Sequence, residues 1–484
     1  MSLKEQTVSG IIWSFADNSL TQIITFVVGI ILSRLLSPAE FGLVGMIVIF
    51  IAVGQSVVDS GFSQALIRKT ECTDEDYSTV FYFNLSVAIL FYLILFFSAD
   101  FIAEFFKEPK LISIVRVISL TIILNAFGLI QQTQLTKEIK IKVQTKISFV
   151  ANLSSGILAV ILAYTGFGVW SLVFRNLLNM FLRNLLLWIL NKWQPKLIFS
   201  VASFKEMYAF GSKLFLSGLL NKIFENIYYF IIGKYFSAEQ LGYYSRADTF
   251  ARLPSSNING VVQRISYPVL VKFQNDNVRL KNALKRLLKM TMFLSTFFMA
   301  LMVALSKSLI IVLIGNKWLP SVFYLQLLSF SLIFLPLSSL NLNMLNVKGR
   351  SDLFLKLEII KKSLAVPVIL SGIFYGIEFM LYAMIINSVI SYYLNSYNNK
   401  TLINYSMFEQ VKDLLPTILV NSINGTLIFI MGQLLVLNHL IILILQLIFG
   451  LIFAIALSEL FRLEPYLEIK IILLEKFQSF KNKY

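Results

Sequence analysis

SAEQLGYYSRADTFARLPSSNINGVVQRISYP, residues 237–268, opens on a copy of an earlier part of the chain. Ser37-Pro38-Ala39-Glu40-Phe41-Gly42 and Ser237-Ala238-Glu239-Gln240-Leu241-Gly242 match at a constant offset of 200 residues. The register continues through the following helix. Gln55, Ser56, Asp59 and Ser63 stand opposite Ser255, Ser256, Asn259 and Gln263, although most apolar residues between them differ. Steps of three or four put each set on one helix face. In the second copy the polar stripe starts earlier, with Asp248 and Arg252 at i,i+4. A helix begun at Leu241 carries Arg252 roughly 16 Å along its axis, near the middle of a bilayer core about 30 Å thick.

A duplicated polar stripe needs an apolar setting to matter, and the composition supplies one. The chain has 484 residues, 57% hydrophobic and 14% charged, with a mean hydropathy of +0.76. That charge content is far below the roughly 25% of soluble domains. Apolar runs such as Leu440–Leu457 cross hydrocarbon as helices, whereas barrel strands would be shorter and alternating. The expected fold is all-α and polytopic, with about fourteen spans in two parallel, pseudo-symmetric lobes around a central cavity. The divisions are residues 1–190 for the N-lobe, 191–207 for a cytoplasmic amphipathic linker, 208–400 for the C-lobe, 401–460 for two final spans and 461–484 for an amphipathic tail. Six spans before the linker start both halves on the same side, which makes the repeats parallel.

The net charge of +16 sits in short loops, with Lys137, Lys140, Lys142, Lys146, Arg279, Lys281, Lys285 and Arg286 all on the side of the N-terminus. This is the positive-inside pattern, so both termini are expected in the cytoplasm and no nucleic-acid partner is implied. The single cysteine, Cys72, can form no internal disulfide. The single histidine, His439, has no neighbouring ligand residues, so no metal or cofactor is expected. Asp74-Glu75-Asp76 reads as a solvated loop, and the chain carries no Walker sequence, HExxH or nucleophile elbow. An enzyme is therefore not expected.

Polar residues recur inside several spans. The first carries Asp17, Asn18, Thr21, Gln22 and Thr25, and the seventh carries Ser217, Asn221, Lys222, Glu225 and Asn226. Lipid would penalise such faces, so they look at protein or water. Turned inward they would line a wet cavity of Arg246, Arg252, Lys222, Asp17, Asp59, Asp248 and Glu225, with Asn18, Gln22, Asn221 and Asn259 among them. The competing reading is that they hold helices together, Asp248 with Arg252 above all. Arg175 with Asn179 and Arg183 adds a cationic stripe in the sixth span. Pro254, Pro336 and Pro367 are candidate kinks.

The segments LSRLLSPAEFGLVGMIVIF (32–50), DSGFSQALIRK (59–69), FGSKLFLSGLLNKIFENIYYFIIGKYFSAEQLGYYSRAD (210–248) and ARLPSSNINGVVQRISYPVL (251–270) carry a resemblance. With them the chain resembles the polysaccharide-transporter branch of the multidrug/oligosaccharidyl-lipid/polysaccharide flippase superfamily, and within it the colanic-acid and teichuronic-acid exporter group. The resemblance implies two lobes of six helices plus a final pair, moving undecaprenyl-pyrophosphate-linked oligosaccharide across a bacterial inner membrane. It implies a pyrophosphate role for arginines, which Arg246 and Arg252 fit, whereas Arg175 is a cargo candidate on its place in the sixth span alone. The first span lacks the inner arginines of peptidoglycan-precursor flippases. Two alternatives stay open: a drug antiporter with Asp17, Asp59, Asp248 and Glu225 as proton or sodium sites, and a membrane glycan polymerase or ligase.

Overall fold

The computed structural model describes the backbone of residues 3–481, and the side chains in this range apart from 3–12, 14–16, 18, 473 and 476–481. It divides into two compact units, Met1–Gly242 and Tyr243–Tyr484. Among the described residues regular structure is helical throughout.

The first unit holds α1 (Leu3–Leu35), α2 (Pro38–Asp59), α3 (Phe62–Arg68), α4 (Asp74–Phe97), α5 (Ala99–Phe106), α6 (Leu111–Ile118), α7 (Leu120–Lys137), α8 (Ile141–Tyr164), α9 (Trp170–Asn191) and α10 (Val201–Tyr235). Within it α1 packs on α8, α8 on α9, α9 on α7 and α2 on α10. Helix α11 (Ala238–Val271) begins in the first unit and runs into the second. The second unit continues with α12 (Asn277–Ile314), α13 (Pro320–Leu332), α14 (Leu335–Val347), α15 (Ser351–Ser363), α16 (Ala365–Tyr375), α17 (Ile377–Tyr397), α18 (Asn399–Ile403), α19 (Met407–Leu434), α20 (His439–Leu460) and α21 (Glu464–Lys481).

Among the described residues ten helical stretches are long and apolar enough to cross a membrane. The other four positions expected as spans are occupied by α1, α10, α11 and the α15–α16 pair, all of them interrupted by charged or amide residues. Two expected proline kinks are real breaks. Pro336 follows the α13–α14 interruption, and Pro367 follows the α15–α16 interruption at Leu364, because a ring in place of the N–H ends the hydrogen-bond ladder. Pro254 stays inside α11.

The duplicated hexapeptides meet each other. Ser37 starts α2, with Glu40 reaching back to accept from the Ser37 amide at 2.7 Å, and Ser237 starts α11 by accepting from the Gln240 amide at 3.1 Å. Both are N-cap arrangements that satisfy amides left orphaned by the first turn. A methyl group on Gly42 would overlap the Ala238 carbonyl, and one on Gly242 would overlap the Pro38 carbonyl. Each copy thus presses a bare glycine onto the other copy's backbone. That reciprocity is what a local two-fold relation between the repeats produces.

Two polar segments take a definite form. First, within the expected linker of 191–207, residues 192–200 are non-helical, and α10 begins at Val201 with Ser200 as its cap. Pro195 and the Ser200 cap oppose an earlier start. The strap is tied down where the Lys196 amide donates to Ser78 Oγ at 3.0 Å and the Ser200 amide to Thr79 Oγ1 at 2.9 Å. Second, Asp74-Glu75-Asp76 is the first turn of α4, not a solvated loop. Thr73 caps that helix with Asp76 as its reciprocal partner, and Asp76 is buried against Lys69 at 3.1 Å. Acidic residues favour the positive end of a helix.

Candidate functional site

α11 places the central charged pair. Asp248 and Arg252 are one turn apart, and Arg252 Nε donates to both carboxylate oxygens at 2.7 and 2.8 Å. Asp248 is 6% exposed and Arg252 is 46% exposed. The carboxylate is therefore sealed into the bundle and holds a half-exposed guanidinium at its rim. Fourteen residues of helix separate Arg252 from Ala238, roughly 21 Å of axis. Arg246 lies half-buried on the same helix, two residues before Asp248, and Asn259, also half-buried, leaves its Oδ1 without a hydrogen bond among the described residues. Further along, Asn343 donates to Gln263 at 3.1 Å and Ser266 at 2.8 Å, tying α14 to α11.

On α10, Lys222 and Glu225 pair at 2.9 Å on an exposed face beside exposed Asn221, and Asn226 donates to the Lys222 carbonyl. Pairing at i,i+3 is a weak surface contact. Asp59 is engaged locally, where its Oδ1 accepts from the Ser63 amide at 3.2 Å and the Ser63 hydroxyl at 2.5 Å. It thereby satisfies the start of α3 after the left-handed Ser60-Gly61 turn, where Gly61 has φ +78°. Asn18 lies outside the described side chains, and Gln22 is half-buried on α1.

The first unit carries a polar seam that the sequence only partly disclosed. Asp17 is half-buried, within electrostatic reach of Arg183 and hydrogen-bonding reach of Ser148. Arg183 donates to Gln132 at 3.0 Å, and Asn179 to Asn152 at 3.0 Å and Ser155 at 3.3 Å. Arg175, two turns above Arg183, is half-buried and has no hydrogen-bond or ion-pair partner among the described residues. Gln132, Asn152 and Ser148 were missed in the sequence. Only their helical spacing within apolar spans could have marked them, and that signal is shared by every amide that bonds two helices together.

A second group of amides is structural. Asn399 donates to Asn341 at 2.7 Å and Tyr392 to Gln410 at 2.9 Å, joining α18 to α14 and α17 to α19. All four are almost fully buried, so the bonds replace water that the interior excludes. Among the described residues no group of acidic, histidine and cysteine side chains could hold a metal ion.

Residues 31–323 match the family model described as "Polysaccharide biosynthesis protein". The chain is 28% identical to the "Teichuronic acid biosynthesis protein TuaB" of Bacillus subtilis (strain 168) over 73% of each chain. It is 24% identical to the "Lipopolysaccharide biosynthesis protein WzxC" of Escherichia coli (strain K12), over 81% of this chain and 82% of that one. Among solved structures it resembles "Lipid II flippase MurJ, inward closed conformation", with a TM-score of 0.75 at 16% identity, covering 94% of this chain and 98% of the other. It also resembles an inward-facing multidrug MATE transporter, at a TM-score of 0.61 and 15% identity. These likenesses show the fold, which is that of the MurJ and MATE structures, and the family match shows membership: the chain is a multi-pass membrane protein that belongs to the polysaccharide biosynthesis protein family.

Proposed function

We propose that this protein moves a polyprenyl-pyrophosphate-linked oligosaccharide from the cytoplasmic to the periplasmic leaflet of a bacterial inner membrane, by alternating access. In this reading the ten apolar helices and the four polar ones make fourteen crossings, with both termini in the cytoplasm. Crossing hydrocarbon is costly for a charged, hydrated headgroup and favourable for its lipid tail. The transporter shelters the former and leaves the latter in lipid.

The observation that carries the proposal is the half-exposed Arg252 guanidinium, held deep in α11 by the sealed Asp248 carboxylate. Asp248 fixes the direction of the cation, and a pyrophosphate has the acceptors for charge-assisted, bidentate hydrogen bonds. Arg246 and Lys222 are the supporting cations, Arg175 is a further one in the first unit, and Asn221, Asn259, Asn18 and Gln22 meet sugar hydroxyls. Glu225 tempers Lys222. Asp17, with a buried Oδ1 that has no hydrogen-bond partner among the described residues, is the residue through which a proton or sodium ion would be coupled. The names of the relatives, which concern teichuronic acid, lipopolysaccharide and lipid II, agree with a glycan on a lipid carrier.

The test is Arg252→Ala. It should abolish appearance of the surface glycan while the protein remains folded in the membrane fraction. Undiminished export by that variant overturns the assignment of Arg252.

A further inference from the structure

A pocket of about 230 Å³ lies within the first unit, between α2, the α6–α7 junction and α9. Sites for whole drug-sized ligands run roughly 300–1,000 Å³, so this one accepts a small solute or one piece of a larger molecule. One wall is a single stripe of α2, Val44, Ile47, Val48, Ile51 and Ala52, ending at Gln55. Steps of three and four keep these side chains on one face for roughly 17 Å of helix. The opposite wall belongs to α9, through Asn176, Asn179 and Met180, with Thr121 from α7.

The polar groups here differ from the gluing amides elsewhere. Among the described residues neither the Gln55 nor the Asn176 amide has a hydrogen-bond partner. Asn179 spends its Nδ2 on Asn152 and Ser155, and its Oδ1 makes no described hydrogen bond. Thr121 donates to the Ile118 carbonyl at 2.6 Å. Half-buried Gln55 and Asn179 and exposed Asn176 at the mouth thus offer donors and acceptors to a largely aliphatic, half-open pocket that no charged residue lines. A phosphate or uronate would find no counter-charge among the lining residues, and a plain alkyl chain would make no use of the amides. A hexose with hydroxyls on every side would set some of them against Val44, Ile47 and Ile51.

We propose that this pocket binds one neutral sugar residue bearing an apolar substituent, a 6-deoxy methyl or an N-acetyl group, with the hydroxyls on Gln55, Asn176 and Asn179 and the methyl on the α2 stripe. The proposal rests on the flippase reading and adds to it a selective site for the glycan, separate in residues from the phosphate-binding arginines. Arg175, next to Asn176 in sequence, lies outside the lining.

The experiment uses the full chain in lipid nanodiscs and saturation-transfer difference NMR with N-acetylglucosamine, fucose and glucose as probes. Transfer should concentrate on the acetyl and C6 methyl protons, and glucose should give little. Gln55→Met and Asn176→Leu keep the volume and remove the hydrogen bonds, so each should weaken binding about tenfold. Ala52→Phe should fill the pocket and abolish the signal, and the two near-isosteric variants decide the matter where that larger change prevents folding. Unchanged transfer in those variants, or glucose matching the substituted sugars, overturns the proposal. Because the readout is binding by purified protein, its failure leaves the export phenotype of Arg252→Ala standing. Normal export by Arg252→Ala likewise leaves the pocket standing.

Discussion

Asp248 and Asp59 show how alike two carboxylates look in sequence and how differently they are used. Both sit in polar stripes of the repeated helices. Asp59 caps α3 through Ser63, whereas Asp248 is sealed and holds Arg252. Asp59→Ala should therefore lower stability by about 1 kcal/mol, the usual value of a lost cap, with export retained, as thermal unfolding in detergent and glycan display would report. Asp248→Ala should impair export, because it frees the guanidinium from its orientation. Asp248→Asn keeps the size but surrenders the charge, and should fall between wild type and alanine. The spacing of Asp248 and Arg252 announced their pairing. Nothing local announced that Asp59 would accept from Ser63 across a turn in which both Ser60 and Gly61 are left-handed, since serine rarely adopts that conformation.

Helix positions were legible because apolar length is a strong signal. Where helices pause was legible too, at Pro336 and Pro367. The linker was less so, because its aromatic residues face protein: Trp193 and Phe204, with Phe210 beyond them, rest on the buried cluster of Phe62, Leu66 and Phe81. The same contest between lipid and protein arises at α21. Its start is tied to α12 by Lys289–Glu464 at 2.5 Å and Arg286–Glu468 at 2.8 Å, and to α20 by Lys470–Glu459 at 2.8 Å. Exposed bridges are individually weak, so Arg286→Met with Lys289→Met should raise amide exchange over 464–472 by about tenfold and leave the helix formed. Lys470 is held above the usual lysine range, chiefly by its hydrogen bond to Glu459. Its share of the attachment is complete at neutral pH; it is lost as the solution is made alkaline through that raised value, or acid enough to protonate its partner Glu459.

For the molecule as a whole, repeat and topology came from two independent signals, the 200-residue register and the bias of Lys and Arg among loops. The register found its counterpart in the contacts between Gly42 and Ala238 and between Gly242 and Pro38. The orientation predicts that a green fluorescent protein fused to the C-terminus fluoresces and that alkaline phosphatase fused there is inactive. The reverse result places the termini in the periplasm. What the sequence could not disclose is which polar face meets which, since the same Asn or Gln serves as mortar between helices or as a hand extended to cargo. The difference between Asn399, bonded to Asn341, and Asn176, bonded to nothing described, exists only in three dimensions.

The mutual seating of Gly42 and Gly242 carries one more implication. Side chains in contact can yield by changing rotamer, but main chain lying on main chain has no such give. Any motion that separates the start of α2 from the start of α11 must release both seats together, as a latch does. A single added methyl at either glycine would keep the latch from shutting.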